Sequence, residues 1–418
     1  MDFEKRSLVK NMTHCTENTH CLACGSGNIH LALDLGEQPL ANSYKRTYHE
    51  KEEAYPLAVN LCHDCFHLQL SHTVDPEIIY KNYLYATGTN ETIKRYCDWF
   101  AQFALECCAG AKTVLDIGCN DGTQLDYFRD LGMKTYGIDP AENLHERSNK
   151  NHSVVCDFFG PAAVDKLNQT HYDIIVAQNV CAHNPDPLTF IETCAELMSD
   201  DTTLFIQTSQ ADMVLHNEFD TIYHEHVNFF NANSMRELAR RAGLFLTDVI
   251  KTPIHGNSYI FVLSRREINQ HRVANIIDIE RAYGLMSLDT YTRWEQNVRD
   301  NVNELVKVLD LHRKDGYLLV GYGAAAKGNT LLNFAKIDYL EMIIDDNPLK
   351  QFKFTPGSST PVVGPSFLTL QKIKQHGDRI LFIPLAWNFF TEIKSRIKTV
   401  RDNPDDRFLK YFPKVEVL

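Results

Sequence analysis

At 418 residues the chain exceeds what one ordinary hydrophobic core organises, and about two to four domains are expected. Hydrophobic residues at 44% and charged residues at 23% give the balance of a soluble globular protein and exclude a disordered one. A formal charge of −12 argues against a general nucleic-acid binder.

The opening residues, MDFEKRSLVKNMTHC, are charged and have no apolar leader core, and no run reaches membrane-spanning length. A cytoplasmic protein is expected, with no membrane partner. Its twelve cysteines then point to metal ligands and buried thiols, not to a disulfide framework. Residues 1–75 are short-stranded and turn-rich and carry two knuckles, Cys21-x-x-Cys24 and Cys62-x-x-Cys65, separated by 37 residues. Four thiolates from two such pairs make the closed tetrahedral shell of a structural Zn²⁺, for which no catalytic role is expected. Such a site offers roughly 10–16 kcal/mol, enough to fold a small module. His20, His63 and His67 lie close enough in sequence to replace a ligand.

Residues 76–265 alternate short apolar runs with helix-length segments, as in a mostly parallel α/β sheet. TVLDIGC, KTYGID, YDIIVAQ and TLFIQTS read as buried strands. The first runs into a glycine turn, Asp116-Ile117-Gly118-Cys119-Asn120-Asp121-Gly122-Thr123, ahead of the helix TQLDYFRDLG. Glycine lets backbone approach a ligand where a Cβ would clash. An acid at the strand end suits the ammonium and sulfonium of S-adenosylmethionine (SAM) better than a pyrophosphate, and G-x-G-x-x-G is absent. About twenty residues on, the next strand ends in Asp139, an acid suited to both hydroxyls of a ribose. Asp157 and Phe158 are expected at an adenine edge and face, with Asn179 over the same cleft. The expected cofactor site is therefore Asp116, Gly118, Asn120, Gly122 and Asp139 with Asp157, Phe158 and Asn179.

Tyr223-His224-Glu225-His226 follows a helix-like stretch, LHNEFDTI. In an extended strand the two histidines would share one face and Tyr223 would share the other with Glu225, whereas a loop lifts that separation. Imidazole takes a proton near neutral pH, and a neighbouring carboxylate can orient it. The spacing is not H-E-x-x-H, so the helical zinc pair of a metalloprotease is missing. His183, in NVCAHNPDP after the fourth strand, is a second candidate at this cleft.

Residues 266–313 contain no proline and one glycine, and Val302, Leu305, Val306 and Leu309 recur at helical spacing, so one or two connecting helices are expected. Residues 314–418 repeat the α/β theme through YLLVGYG, YLEMIID and RILFIPL, a second, smaller Rossmann-like domain. Its turn, from Gly321 to Thr330, opens a helix whose first amides and Lys327 would suit an anion, and the next strand ends in Asp345-Asp346. A nicotinamide site and a purely structural turn both fit that pattern.

The whole resembles the three-domain, zinc-containing, SAM-dependent C-methyltransferases that act at C3′ of nucleotide-linked 4-keto deoxysugars. The motifs that carry the resemblance span nearly the whole chain: the paired CxxC knuckles, NYLYATGTNET, DIGCNDGT, GIDP, NVCAHNPDP, EFDTIYHEHVNFF, GYGAAAKGNTLLNF, IDDNPLKQ and LAWNF. It implies an α/β chain with a small zinc-binding module (1–75), a central Rossmann-like SAM domain (76–265), a helical connector (266–313) and a C-terminal Rossmann-like domain (314–418). It carries the general-base role onto His226 and makes Tyr223, Glu225 and His183 substrate-site or supporting residues of the catalytic set. His224, Lys327, Asn329 and Tyr83 or Tyr85 fall to the substrate. The implied chemistry is enolate formation beside a ketone and methylation of the carbon, with SAM as cofactor and zinc as a structural ion. O- or N-methylation of a sugar or other small metabolite, and a zinc-stabilised nucleotide-binding scaffold, are the rival readings. Ala325 stands where the family commonly has proline, His255-Gly256-Asn257-Ser258 replaces HGGS, and Ile260 replaces a basic residue. These departures bear on which sugar and nucleotide bind.

Overall fold

The computed structural model describes residues 14–80, 88, 91–167, 169–209, 212–253, 258–368 and 379–418. At the N-terminal end, three short strands flank two long ones, unlike the short strands expected throughout: β1 (Cys15–Glu17), β2 (Ile29–Pro39), β3 (Ala54–Cys62), β4 (Leu68–Leu70) and β5 (His72–Val74), then the helix α1 (Pro76–Tyr80). β1 pairs antiparallel with β5, and β2, β3 and β4 form an antiparallel meander.

The long helix α2 (Glu91–Cys107) leads into the alternating region. There follow β6 (Thr113–Ile117), α3 (Thr123–Asp130), β7 (Lys134–Ile138), α4 (Glu142–Ser148), β8 (Ser153–Val155), α5 (Pro161–Val164), β9 (Tyr172–Gln178), α6 (Pro187–Glu196) and β10 (Met198–Ser209). The four strands read from TVLDIGC, KTYGID, YDIIVAQ and TLFIQTS are β6, β7, β9 and β10. Next come β11 (Asn228–Phe229), α7 (Ala232–Arg241), β12 (Phe245–Thr252) and β13 (Ser258–Ser264). The central sheet has the order β12-β13-β10-β9-β6-β7-β8, parallel except for β13. Both faces are covered, which is why its inner strands are nearly continuous apolar runs. Strand order reverses between β6 and β9, and a ligand crevice belongs at the carboxyl ends of strands at such a point.

Gly284 separates the two connecting helices, α8 (Gln270–Ala282) and α9 (Leu288–Lys314). The last sheet comprises β14 (Leu318–Tyr322), α10 (Ala326–Phe334), β15 (Met342–Ile344), β16 (Val362–Val363), β17 (Ile380–Pro384), α11 (Phe390–Val400), β18 (Arg407–Lys410) and β19 (Glu416–Val417). Its order is β16-β15-β14-β17-β18-β19, with only β19 antiparallel, so it is a second Rossmann-like layer.

One core ties these parts together. Leu33, Val59 and Leu70 of the N-terminal meander pack with Phe219 and Ile222, with Trp294 and Val298 of α9, and with Leu331 and Ile383 of the C-terminal layer. β11 adds to β4, so the segment just after the histidine cluster completes the N-terminal sheet. The helix expected over LHNEFDTI is replaced by one 3-10 turn, Met213–His216, that stops at Asn217 in the left-handed region (φ 57). The residues after it are turns whose polar groups are claimed from several directions. Among the described residues, no helix is long and apolar enough to cross a membrane.

Candidate active site

At the strand-order reversal of the central sheet lies a cavity of about 510 Å³. Of the cofactor residues expected from sequence, Asp116, Gly118, Asn120, Asp139, Phe158 and Asn179 line it, and His183 joins them. Gly118 has φ 73, and a Cβ there would come within 2.4 Å of Val180 Cγ2, so only glycine makes this turn without displacement. Asp139 clamps the turn: Asn120 N donates to its Oδ2 at 2.8 Å and Ala141 N to its Oδ1 at 2.8 Å.

Two of the expected residues, Gly122 and Asp157, are not part of the cavity lining. Gly122 caps α3 away from the cavity, where a Cβ would meet the backbone of Ser148 at 3.2 Å; its role is close packing against α4. Asp157 is drawn to Lys166, 2.5 Å away, and only its neighbour Phe158 faces the cavity. The ion pair with Lys166 and the Phe158 amide hold the Asp157 carboxyl below its ordinary value.

Sequence reading missed Asp75 and Glu77, contributed by the N-terminal segment, and the amides of Gln124, Gln178 and Gln207. With Asp116 and Asp139, the cavity carries four carboxylates, and no lysine or arginine lines it among the described residues. Burial pushes the Asp116 carboxyl well up, and the neighbouring Asp139 adds to the effect. A concave site of this sign favours a cation, which fits the sulfonium and ammonium of SAM and not a dinucleotide pyrophosphate.

Behind His183 stands the cluster Tyr223–His226. It is a turn, closed by His226 N donating to Tyr223 O at 2.9 Å, and not an extended strand. The turn brings Tyr223 and His226 to one side, with the phenol oxygen 2.8 Å from Nε2. Nδ1 lies 2.9 Å from the Thr221 carbonyl, which can only accept, so Nδ1 carries the proton and the Nε2 lone pair takes the phenol hydrogen. His183 meets the His226 ring edge-on at 4.9 Å between centroids and thereby joins this pair to the cavity. Burial lowers His183 to about 4, so it is neutral at physiological pH.

The same turn sends its other side chains elsewhere. His224 is buried on the N-terminal sheet, where Nε2 approaches the Tyr55 carbonyl at 3.3 Å; it anchors the turn there and lies outside the cavity lining. Glu225 accepts from Asn42 Nδ2 at 2.6 Å, and burial raises its carboxyl to about 7 against the opposing pull of Asn42 and Lys350. Asp220 accepts from Trp387 Nε1 at 2.8 Å, and Lys327 Nζ sits over the Trp387 ring at 4.9 Å. Burial lowers the Lys327 ammonium while Asp220 and Glu218 oppose the shift. Asn329 donates to the Ala41 carbonyl at 2.7 Å and is 1% exposed, a fastening between α10 and the N-terminal segment. Tyr83 and Tyr85, and the stretch His255–Asn257, lie outside the described residues.

The second glycine turn repeats the clamp of the first. Ala324 N donates to Asp345 Oδ2 at 2.6 Å and Asn347 N to Oδ1 at 2.7 Å. Here the space at the turn is taken by protein: Tyr44 donates to the Ala324 carbonyl at 2.5 Å, and Lys350 Nζ reaches the same oxygen at 2.7 Å. That packing favours the structural reading of this turn over a nicotinamide site.

Cys21, Cys24, Cys62 and Cys65 converge, with all four sulfurs within 4.8 Å of one another and the pairs Cys21–Cys65 and Cys24–Cys62 at 3.6 Å. Tetrahedral Zn²⁺ with Zn–S bonds of about 2.3 Å needs sulfurs about 3.8 Å apart, so the set fits. Among the described residues no histidine joins it: His20 Nδ1 lies 3.0 Å from Thr19 Oγ1, His67 turns to Asn228 Oδ1 at 3.1 Å, and His30 and His63 stack on each other. The knuckles dock on α7, where Asn233 donates to the Cys65 carbonyl and Arg241 to that of Ala23.

Fold and site together define a SAM-dependent methyltransferase with a structural zinc module. Family models match in series: a zinc binding domain over residues 21–80, a methyltransferase domain over 89–249 and a C-methyltransferase C-terminal domain over 253–413. Together the three matches mark the chain as a SAM-dependent C-methyltransferase with a zinc-binding module. It is 28% identical to the C-methyltransferase NovU of Streptomyces niveus over 95% of this chain and 96% of that one. It is 26% identical to the ubiquinone biosynthesis O-methyltransferase of Nitrosospira multiformis, over 41% of this chain and 76% of that protein. The 1,6-didemethyltoxoflavin-N1-methyltransferase of Burkholderia thailandensis aligns with a TM-score of 0.36 at 18% identity, over 49% of this chain and 96% of that one.

Proposed function

We propose that the protein transfers the methyl group of SAM to C3′ of a nucleotide-linked 4-keto deoxysugar in the cytoplasm, as a step of deoxysugar biosynthesis. The observation that carries the reading is the His226–Tyr223 pair: a basic Nε2 lone pair and a phenolic donor 2.8 Å apart, beside the cavity. Enolisation needs these two groups together, one to take the carbon-bound proton and one to meet the oxygen that becomes negative. Carbon is also the methyl acceptor of the similar C-methyltransferase NovU.

Asp116, Asp139 and the turn between them hold the cofactor, with Gly118, Asn120, Asn179 and Phe158 around it. When bound, SAM supplies an electrophilic methyl group. His226 Nε2 removes the C3′ proton, and the electron pair spreads onto the 4-keto oxygen. Tyr223 turns its hydroxyl from Nε2 to that oxygen, and C3′ would take the methyl group as its bond to the sulfonium breaks, the bonding pair leaving with SAH and the C3′ proton staying on His226 until it passes to solvent. Thr221 holds the imidazole tautomer throughout. His183 packs neutral against the base, and Glu225 secures the turn that carries it. Substrate contacts from Lys327 and Tyr83, and the division into domains at 75, 265 and 313, belong to the same proposal, whereas His224 and Asn329 serve the frame through Tyr55 and Ala41.

The test is incubation of SAM with a panel of nucleotide 4-ketosugars, read by mass spectrometry and product NMR. A gain of one methylene with the methyl on carbon is expected; a methyl on oxygen or nitrogen, or no gain with any ketosugar, overturns the reading. His226→Asn should lose about 10²- to 10⁴-fold in turnover with unchanged binding of S-adenosylhomocysteine (SAH).

A further inference from the structure

Gln207, at the carboxyl end of β10, is 1% exposed and lines the cofactor cavity. Its Oε1 accepts from the Tyr96 hydroxyl at 3.1 Å, while its Nε2 has no hydrogen-bond partner among the described residues. Leaving a buried amide donor unsatisfied forfeits its hydration with no return, so its presence here calls for an acceptor that arrives from outside the protein. The neighbouring amides are already engaged. Gln124 donates to the Cys97 carbonyl at 3.0 Å and Gln178 to Gln124 Oε1 at 3.3 Å.

Position narrows the acceptor. Asp139 ends β7, and β7, β6, β9 and β10 lie side by side, with Gln207 directly opposite Gln178 in the ladder. At about 4.8 Å per strand, Gln207 stands about 14 Å across the sheet from Asp139. A nucleoside held at Asp139 would send its amino-acid arm over β6 towards β9 and β10. The carboxylate at the end of that arm enters an acidic cavity with no lysine or arginine in its described lining. We propose that Gln207, its amide oriented by Tyr96, is the donor that binds the carboxylate of SAM.

The inference rests on the cavity being the SAM site, and calorimetry on the purified zinc-loaded chain separates the two. Wild type is titrated with SAH and with decarboxylated SAH, which keeps the ammonium and lacks the carboxylate. Gln207→Leu should weaken SAH by about tenfold or more and leave the decarboxylated analogue unchanged. Gln207→Glu, which still accepts from Tyr96 but repels an anion, should weaken SAH further and tighten the decarboxylated analogue. Unchanged SAH binding in Gln207→Leu overturns the assignment, as does equal loss for both ligands. No binding of either ligand to wild type removes the cofactor site itself. Melting temperatures of the variants confirm that folded protein was compared.

Discussion

Asn42 Nδ2 and Glu225 Oε1 lie 2.6 Å apart across 183 residues of chain, which ties the histidine-bearing turn to the N-terminal segment. His224 is tied to Tyr55 of the same N-terminal segment and Asp220 to Trp387 of the C-terminal layer, so the chain around His226 is held from both. Asn42→Ala leaves the buried Glu225 carboxylate without that donor and should cost about 1–3 kcal/mol. Turnover should fall while SAH affinity stays near wild type, because Asn42 is not part of the cavity lining. Urea unfolding alongside steady-state kinetics checks both; intact stability and turnover would show that the contact is incidental.

Zinc removal should reach the cofactor site. Asp75, Pro76 and Glu77 line the cavity proposed for SAM from the end of the N-terminal segment, and β4 pairs with β11 just beyond His226. Chelation should therefore unfold the knuckles and weaken SAH binding together, and both should return on adding one equivalent of zinc. Calorimetry and metal analysis read this out; full SAH affinity in metal-free protein would rule out the coupling.

Gly118→Ala combines strain at φ 73 with a Cβ 2.4 Å from Val180 Cγ2. SAH affinity should drop by more than about tenfold, given the ordinary cost of placing a side chain in the left-handed region. Adding Val180→Ala removes the clash but not the strain, so the double variant should recover part of the loss. An unaltered Kd in Gly118→Ala would mean that the turn can shift freely.

Stability should depend on pH through Glu280, which caps α7 from the neighbouring helix by accepting from Ala232 N at 3.1 and 3.0 Å. Burial raises its carboxyl to about 7, with the amides at the start of α7 opposing. The native state thus keeps a proton that the unfolded chain releases near its ordinary value of about 4.3. Glu280 therefore contributes a loss of stability as pH rises from about 4.5 to 7. Glu280→Gln removes that loss, so its stability relative to wild type should improve by up to about 3 kcal/mol between pH 5 and pH 8. Chemical denaturation at the two pH values measures the difference; a constant difference would place Glu280 at an ordinary carboxylate value.

Much of the architecture is legible in the linear chain because it is governed by local chemistry. Apolar runs of strand length, the glycine and acid that end β6, the second acid of β7 and the two cysteine knuckles each depend on residues close in sequence. They point to the Rossmann-like layers, the cofactor and the metal. What residues 217–226 do could not be read this way. Their helix-like pattern gives way to turns because Glu225, His224 and Asp220 find partners at Asn42, Tyr55 and Trp387, all far along the chain. Gln207 lay unnoticed inside an apolar strand for the same reason: its donor acquires meaning only beside Tyr96 and an acidic cavity. Likewise, Lys327 and the second glycine turn look like an anion site in sequence, yet Tyr44, Lys350 and Trp387 fill or flank that space. Strands, turns and metal pairs follow from short-range sterics and ligand spacing, so the sequence by itself determined them. Which buried polar groups face each other is set by how the three layers pack, and only the tertiary structure decided it.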